Sequence, residues 1–388
     1  MSLDALRGYT IAVMVIVNDP GSWSHVYPPL LHAQWHGVTL TDLVFPCFLF
    51  IVGVSITLAY TKRIDVGTGK KDLYTKIASR AVKIMLLGWF LWLWPNFNFA
   101  AMRYVGVLPR IAIVFFVCAL IFLNTSWKQQ VWIASLVLIG YWLLMAFVPV
   151  PIDDVIRNAL ATGQVSYSEG MLQIGPIRQV ASGFIAPNYE PSVNMTAWLD
   201  RLLVPGDFWQ KTWDPEGLMS TFPAIVTGMI GMLIGKLIVS MEDAHRRLTW
   251  LFFIGFSMYL LGGVWGWVMP LNKNLWTSSY TLWTAGMCTM GLAASILVVD
   301  VLGYTRGTKL GRVFGANAIT SYVLAGMLTV VFYSASFGGR PLNELWMEGV
   351  TSAGVSPRLA SVLYAIMYML VIYIPAYVLY RKKIFLKL

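Results

Sequence analysis

Residues 42–60 read Asp42-Leu43-Val44-Phe45-Pro46-Cys47-Phe48-Leu49-Phe50-Ile51-Val52-Gly53-Val54-Ser55-Ile56-Thr57-Leu58-Ala59-Tyr60 and are followed by Lys62-Arg63. An apolar run of this length, closed by basic residues, has the signature of a transmembrane helix. Runs of the same kind recur at about 5–19, 77–95, 107–124, 131–149, 219–239, 249–270, 279–299, 313–333 and 358–380. The first is short, and a polar N-terminal turn completes it. The pattern predicts an all-α, polytopic membrane bundle of about ten transmembrane helices.

Composition agrees. The 388 residues are 57% hydrophobic and 12% charged, against roughly 25% charged in an ordinary soluble domain. Seventeen Trp and eighteen Tyr suit a protein with two membrane–water interfaces. The net charge of +10 would suggest nucleic acid in a soluble chain, but here the positive residues sit in short loops between apolar runs, where they set topology. Cys47, Cys118 and Cys288 each lie inside an apolar run with no metal or redox spacing. The start, Met-Ser-Leu-Asp-Ala-Leu-Arg-Gly, does not read as a cleavable signal peptide.

With the N-terminus inside, segments 1–8, 61–83, 125–130, 236–248, 301–312 and 381–388 hold 19 of the 28 Lys and Arg. The positive-inside rule therefore puts both termini in the cytoplasm. The outer face then carries 19–41, 150–218 and 334–357. The middle segment is too long for a simple connector and is expected to line a site or form a lid. No soluble domain and no internal repeat is evident, so the chain reads as a single transmembrane domain, 1–388.

Three of the four histidines, His25, His32 and His36, fall in the first outer loop, flanked by Asn18, Asp19 and Asp42. An imidazole titrates near neutrality and is able to take a proton from a nucleophile, and a carboxylate such as Asp42 or Asp19 is able to hold its ring. The plainer alternative is loop histidines that only hydrogen-bond at the interface. His32 and His36 are spaced i, i+4, but Gly37 and Pro28-Pro29 oppose a helix presenting both to a metal. No metal is expected.

A second group, Trp213-Asp214-Pro215-Glu216-Gly217, offers two carboxylates beside an aromatic ring on the outer face. It reads as a lip for a sugar hydroxyl or ammonium, and equally as an N-cap with Pro at the first helical position. The third is Asn272-Lys273-Asn274-Leu275-Trp276-Thr277, where Lys273 is a lone cation that either meets a ligand or anchors the helix end by snorkelling. On the inner side, Lys62 through Lys83 and Arg306, Lys309, Arg312 before Gly315-Ala316-Asn317 form basic clusters. They contact lipid head groups or hold the phosphates of a coenzyme, without any Walker-type or dinucleotide loop.

Taken together, Ser2-Leu3-Asp4-Ala5-Leu6-Arg7-Gly8, Val17-Asn18, His32-Ala33-Gln34-Trp35-His36-Gly37-Val38-Thr39, Asp42-Leu43-Val44-Phe45-Pro46, Phe50-Ile51-Val52-Gly53, Asp214-Pro215-Glu216-Gly217 and Asn272-Lys273-Asn274-Leu275-Trp276-Thr277 resemble one family in order and spacing. It is the membrane acyltransferase family typified by heparan-alpha-glucosaminide N-acetyltransferase, whose bacterial relatives are associated with N-acetylglucosamine utilisation. The resemblance implies transfer of an acetyl group from cytoplasmic acetyl-coenzyme A to the amine of a glucosamine across the membrane. It maps the catalytic histidine to His32 and an asparagine at the end of the first span to Asn18. Asp42 is the expected ring-holding partner. Trp35, Asp214, Glu216, Lys273, Asn274 and Trp276 are the expected acceptor-binding set, and Arg80, Lys83, Arg312 and Asn317 the expected coenzyme contacts.

The chain departs from the pattern in having His36 where an asparagine is common, and in showing no extra N-terminal luminal domain or leading span. A small amino sugar is therefore a more fitting acceptor than a heparan chain end. His32 acts either as base or as acetyl carrier, and Asn18 faces the developing oxyanion. The readings set beside this one are an amino-sugar transporter and an O-acetyltransferase of an envelope polysaccharide. The expected location is a bacterial inner membrane with the site toward the periplasm. The tryptophan content is compatible with a lipid-facing homodimer seam that nothing in the sequence locates.

Overall fold

The computed structural model describes residues 1–67, 69–167 and 170–385. Each apolar run of the sequence coincides with a helix: α1 Ser2–Asn18, α2 Val44–Asp65, α3 Lys70–Leu93, α4 Val107–Asn124, α5 Trp127–Phe147 and, beyond two short outer helices α6 Asp154–Thr162 and α7 Met195–Leu203, α8 Leu218–Ser240, α9 Ala244–Trp265 and α10 Ser278–Ser295. The chain then continues through α11 Thr308–Ala316, α12 Ala318–Thr329, a short outer α13 Leu342–Ser352 and α14 Pro357–Arg381. Among the described residues, seven helices are long and apolar enough to cross a membrane, or eight if the bent pair α11–α12 is one span. α1 falls outside that group at 17 residues. α3 falls outside it because its N-terminal part, to Lys83, carries Lys70, Lys71, Asp72, Lys76, Arg80 and Lys83.

Local chemistry explains the helix starts. Ser126 and Gln129 form a capping box at α5, while Asp243 and Thr277 accept main-chain N–H groups at the starts of α9 and α10. The ninth apolar run, expected as one continuous helix, is instead broken by 83° at Asn317. Asn317 leaves the helical region (φ −131°, ψ 46°), and its side-chain amide donates to the Ile384 carbonyl at 3.1 Å.

Small residues bring the central helices together. A Cβ at Gly53 would stand 1.9 Å from the Gly228 carbonyl oxygen, and one at Gly231 would stand 2.1 Å from that of Phe50. The backbones of α2 and α8 thus touch, as small-residue helix pairs do in lipid. Gly231→Ala is expected to force the two helices apart and to destabilise the protein by at least about 1–3 kcal/mol, the usual cost of overpacking. The melting temperature of detergent-solubilised protein checks it, with exposed Gly140→Ala, whose Cβ meets nothing within 4 Å, as the control.

The outer segment 150–218 is folded rather than an open loop. Strands β1 Val150–Pro151, β2 Gln164–Tyr167, β3 Gly170–Gln173, β4 Gln179–Ala181 and β5 Phe184–Ile185 form an antiparallel hairpin (β2–β3) and a small sheet of order β1-β5-β4. With α6 and α7 they enclose a second apolar core of Val150, Ile156, Val165, Ile185 and Met195, which reaches Tyr141, Met269 and Leu275 of the bundle. Among the described residues the molecule is therefore mostly helical, with its few strands confined to this cap.

Candidate active site

The first outer loop folds back over the start of α2, and its anchor is Asp42. This side chain is 1% exposed. Its Oδ2 accepts the Ala33 and Thr39 N–H groups and the Thr39 hydroxyl, each at 3.0 Å. Its Oδ1 lies 2.7 Å from His32 Nδ1. Beneath it, the Tyr280 hydroxyl of α10 donates to the Asp42 carbonyl at 2.6 Å. A carboxylate so fully engaged holds the imidazole in one orientation with Nδ1 toward it.

Lys273 completes the cluster. Its Nζ is 3.0 Å from Nδ1 and 3.2 Å from Nε2 of His32, and 3.6 Å from Asp42 Oδ1. Burial pushes the Lys273 ammonium below lysine's ordinary pKa, against the pull of Asp42 and Glu216. Asn272 straps the same two loops together. Its Nδ2 donates to the Trp35 carbonyl at 2.8 Å and lies 3.3 Å from His36 Nδ1, and Gly37 N–H donates to the Leu271 carbonyl at 2.8 Å. Burial lowers the His36 pKa, with Glu190 opposing. Trp35 donates its ring N–H to the Tyr189 carbonyl of the cap (2.7 Å) and packs edge-on against Trp213.

Asp214 and Glu216 meet a partner that is absent from the expected site residues. Arg103 donates to both Asp214 oxygens, at 2.7 and 2.6 Å, and to Glu216 Oε2 at 2.6 Å. Its guanidinium also lies 5.6 and 5.4 Å from the Trp92 and Trp209 ring centroids. Burial works against the Arg103 charge, yet the two carboxylates carry its pKa above arginine's ordinary value. The signal available in the sequence was a pair of carboxylates needing a cation, since buried charges are paired. Trp276 is wholly buried, edge-on to Phe45 and Tyr280 with Arg110 over its ring. Asn274 is half-buried next to Lys273 in the chain.

Above this turn, Asp200 of α7 is 1% exposed and accepts the Met219 N–H at 3.0 Å. Burial pushes its carboxyl up to about 7, against the Met219 amide and Arg110. A carboxyl whose folded pKa is raised contributes stability that is full below its ordinary value near 3.8 and lost as pH rises through about 7. The melting temperature is therefore expected to fall between about pH 4 and 7, with stability lost at up to about 1.4 kcal/mol per unit crossed. Asp200→Asn should flatten that slope in a melting series across pH.

Two cavities open along the same four helices, α1, α3, α4 and α12. The inner one, about 580 Å³, is lined by Arg7, Arg63, Lys76, Arg80, Lys83 and Asn317, with apolar walls from Ile51, Ile84 and Phe115. Of the expected coenzyme set, Arg80, Lys83 and Asn317 line it, whereas Arg312 donates to the Tyr380 hydroxyl at 2.9 Å. Arg7, bonded to the Ser55 hydroxyl at 2.7 Å, joins them. The outer cavity, about 250 Å³, is lined by Asn18, Asp19, Trp92, Arg103 and Tyr322. Ile84 and Gly88, or Ile319 and Tyr322, separate the two by only about 5–6 Å of helix rise. His32, Asp42 and Lys273 thus stand together on the face that carries the 150–218 cap. Asn18 lines the neighbouring cavity with Arg103, and electrostatic contact between Lys273 and the Arg103-bound Glu216 links the two.

Residues 1–167 match the family model described as heparan-alpha-glucosaminide N-acetyltransferase, catalytic. The resemblance holds in the N-terminal part of the chain. That part contains His32, Asp42, Asn18, Arg103 and the basic lining of the inner cavity. The whole chain also aligns, over 434 positions, with heparan-alpha-glucosaminide N-acetyltransferase of Homo sapiens at 29% identity, covering 59% of the human protein. Its Mus musculus counterpart aligns at 27% identity over 60% of its length. The chain thus spans about three-fifths of the curated relatives it matches. Long apolar helices and similarity to these N-acetyltransferases together mark an integral membrane protein.

Proposed function

We propose that the protein is a transmembrane N-acetyltransferase that moves acetyl from cytoplasmic acetyl-coenzyme A to the amine of glucosamine or a related small amino sugar on the outer side. The observation that carries this reading is the His32–Asp42 pair on the outer face of a bundle whose other end opens into a basic cavity. The positive-inside distribution of Lys and Arg supports the cytoplasm as the side from which that cavity fills. The location is then a bacterial inner membrane, with the chain acting as one transmembrane domain.

The residues fit the donor. Arg63, Lys76, Arg80 and Lys83 suit its phosphates, and Ile51, Ile84 and Phe115 suit the apolar stretches of its pantetheine arm. When bound, the donor supplies a thioester carbonyl. His32, held by Asp42, takes the proton as the amine nitrogen attacks that carbonyl carbon. The C–S bond then breaks, and the thiolate leaves with the proton held by His32. Asn18 donates to the developing oxyanion, a contribution of about 3 kcal/mol when well placed. Lys273, Trp35 and Asn274 stand at the His32 end of the acceptor's path, while Asp214, Glu216 and Trp276 act through the wall they build with Arg103 and Arg110.

The test is purified protein given acetyl-coenzyme A and glucosamine, with released thiol and N-acetylglucosamine both measured. Equal amounts of the two support the reading; thiol without the acetylated sugar, or neither product, removes it. Replacing Arg80 and Lys83 together by Gln is expected to raise the donor KM at least tenfold with little change in the acceptor KM. An unchanged donor KM would take the coenzyme out of the inner cavity.

A further inference from the structure

Asp19 is a charged residue of the outer cavity for which the chemistry above has no use. It follows the last residue of α1, is 8% exposed and lines the cavity beside Asn18. Its main-chain N–H donates to the Val15 carbonyl, but its carboxylate has no hydrogen bond or ion pair among the described residues. The phenols around it do not supply one. Tyr322, Tyr333, Tyr364 and Tyr368 all lie within electrostatic reach of Asp19. Three of them direct their protons elsewhere: Tyr333 donates to the Pro20 carbonyl, Tyr364 to that of Phe332 and Tyr368 to that of Ala325. The cation across the cavity, Arg103, is already held by Asp214 and Glu216.

A buried carboxylate without a partner is costly, and a cationic ligand that reaches it recovers that cost. The cavity sets the ligand's size and character. About 250 Å³ lies just under the roughly 300–1,000 Å³ of ordinary small-molecule sites, so it takes one small ring and not a chain of them. Met14, Leu91, Trp92 and Trp209 make its wall apolar, while Asn18 and Asp19 make one end polar. We propose that this outer cavity is a binding site for the protonated primary amine of a single amino sugar, with the Asp19 carboxylate as the group that selects the ammonium over a hydroxyl. The inference rests on the reading that the acceptor is an amine taken from the outer side, and it names the residue that recognises it.

The experiment is binding of glucosamine, and separately of glucose, to the purified full-length protein in detergent without acetyl-coenzyme A, read by equilibrium binding of the radiolabelled sugar. Wild type is expected to bind glucosamine at least tenfold tighter than glucose, and Asp19→Asn to bring the two within threefold. In the transfer assay the same variant should raise the acceptor KM at least tenfold while the donor KM, set by the inner cavity, stays as in wild type and reports a folded protein. Equal binding of the two sugars by wild type overturns the inference without need of a variant. So does a folded Asp19→Asn protein that keeps the preference. If wild type prefers glucosamine but transfers no acetyl, the amine site stands and the acetyltransferase reading falls. If it transfers acetyl but Asp19→Asn leaves the acceptor KM unchanged, the reverse holds.

Discussion

Replacing His32 by alanine is expected to lower acetyl transfer by about 10²–10⁴, the contribution of a well-placed general base, while leaving the protein folded. The side chain is 44% exposed, so its loss opens no core cavity. Asp42 keeps its Ala33 and Thr39 donors and its Lys273 neighbour at 3.6 Å, and the loop therefore retains its shape. The donor KM should not change, because the inner cavity is untouched. An initial-rate assay with both substrates varied separates these effects. A variant that turns over within threefold of wild type would show that His32 moves no proton in the slow step. Asp42→Asn is not an equivalent test, since it removes the loop anchor as well as the imidazole's partner.

Arg103→Ala should have the opposite profile, destroying the fold before any kinetics are measured. It leaves Asp214, 3% exposed, and the neighbouring Glu216 without their cation. Breaking a buried ion pair from one side costs about 3–5 kcal/mol, and this arginine serves two carboxylates. Arg103→Lys should recover little, because an ammonium does not reproduce the fork that meets both Asp214 oxygens. Neutralising all three positions together, as Arg103→Met, Asp214→Asn and Glu216→Gln, should be milder than Arg103→Ala alone, since no unpaired charge remains. Size-exclusion profile and melting temperature in detergent measure all of these. An Arg103→Ala protein that is monodisperse and melts within about 2 °C of wild type would mean the cluster is not structurally needed.

The two outcomes show where the sequence was readable and where it was not. Apolar runs such as 42–60 announce helices because in lipid every backbone polar group has to be satisfied within its own segment. Their places were therefore evident, to within a few residues. His32 and Asp42 were readable because they lie ten residues apart on one loop. Arg103 and Asp214 are 111 residues apart, and nothing local indicates that a cation in one outer loop closes on carboxylates in another. The break at Asn317 was hidden inside an unbroken apolar run, because hydropathy carries no information about backbone angles. The cap at 150–218 was hidden because strands of two to four residues have too little alternation to register. Trp276 was expected to bind the acceptor, and its burial against Phe45 and Tyr280 is not legible from its place in the chain.

The central claim is that one chain passes an acetyl group between the two sides of a membrane. It is tested most directly in sealed proteoliposomes of uniform orientation, with acetyl-coenzyme A confined to the side of the basic inner cavity and labelled glucosamine on the other. The expected result is N-acetylglucosamine on the glucosamine side, one free thiol per acetylated sugar on the coenzyme side, and neither from His32→Ala. Glucosamine crossing unmodified with no thiol released would contradict it, and would make the two stacked cavities the halves of a transport path.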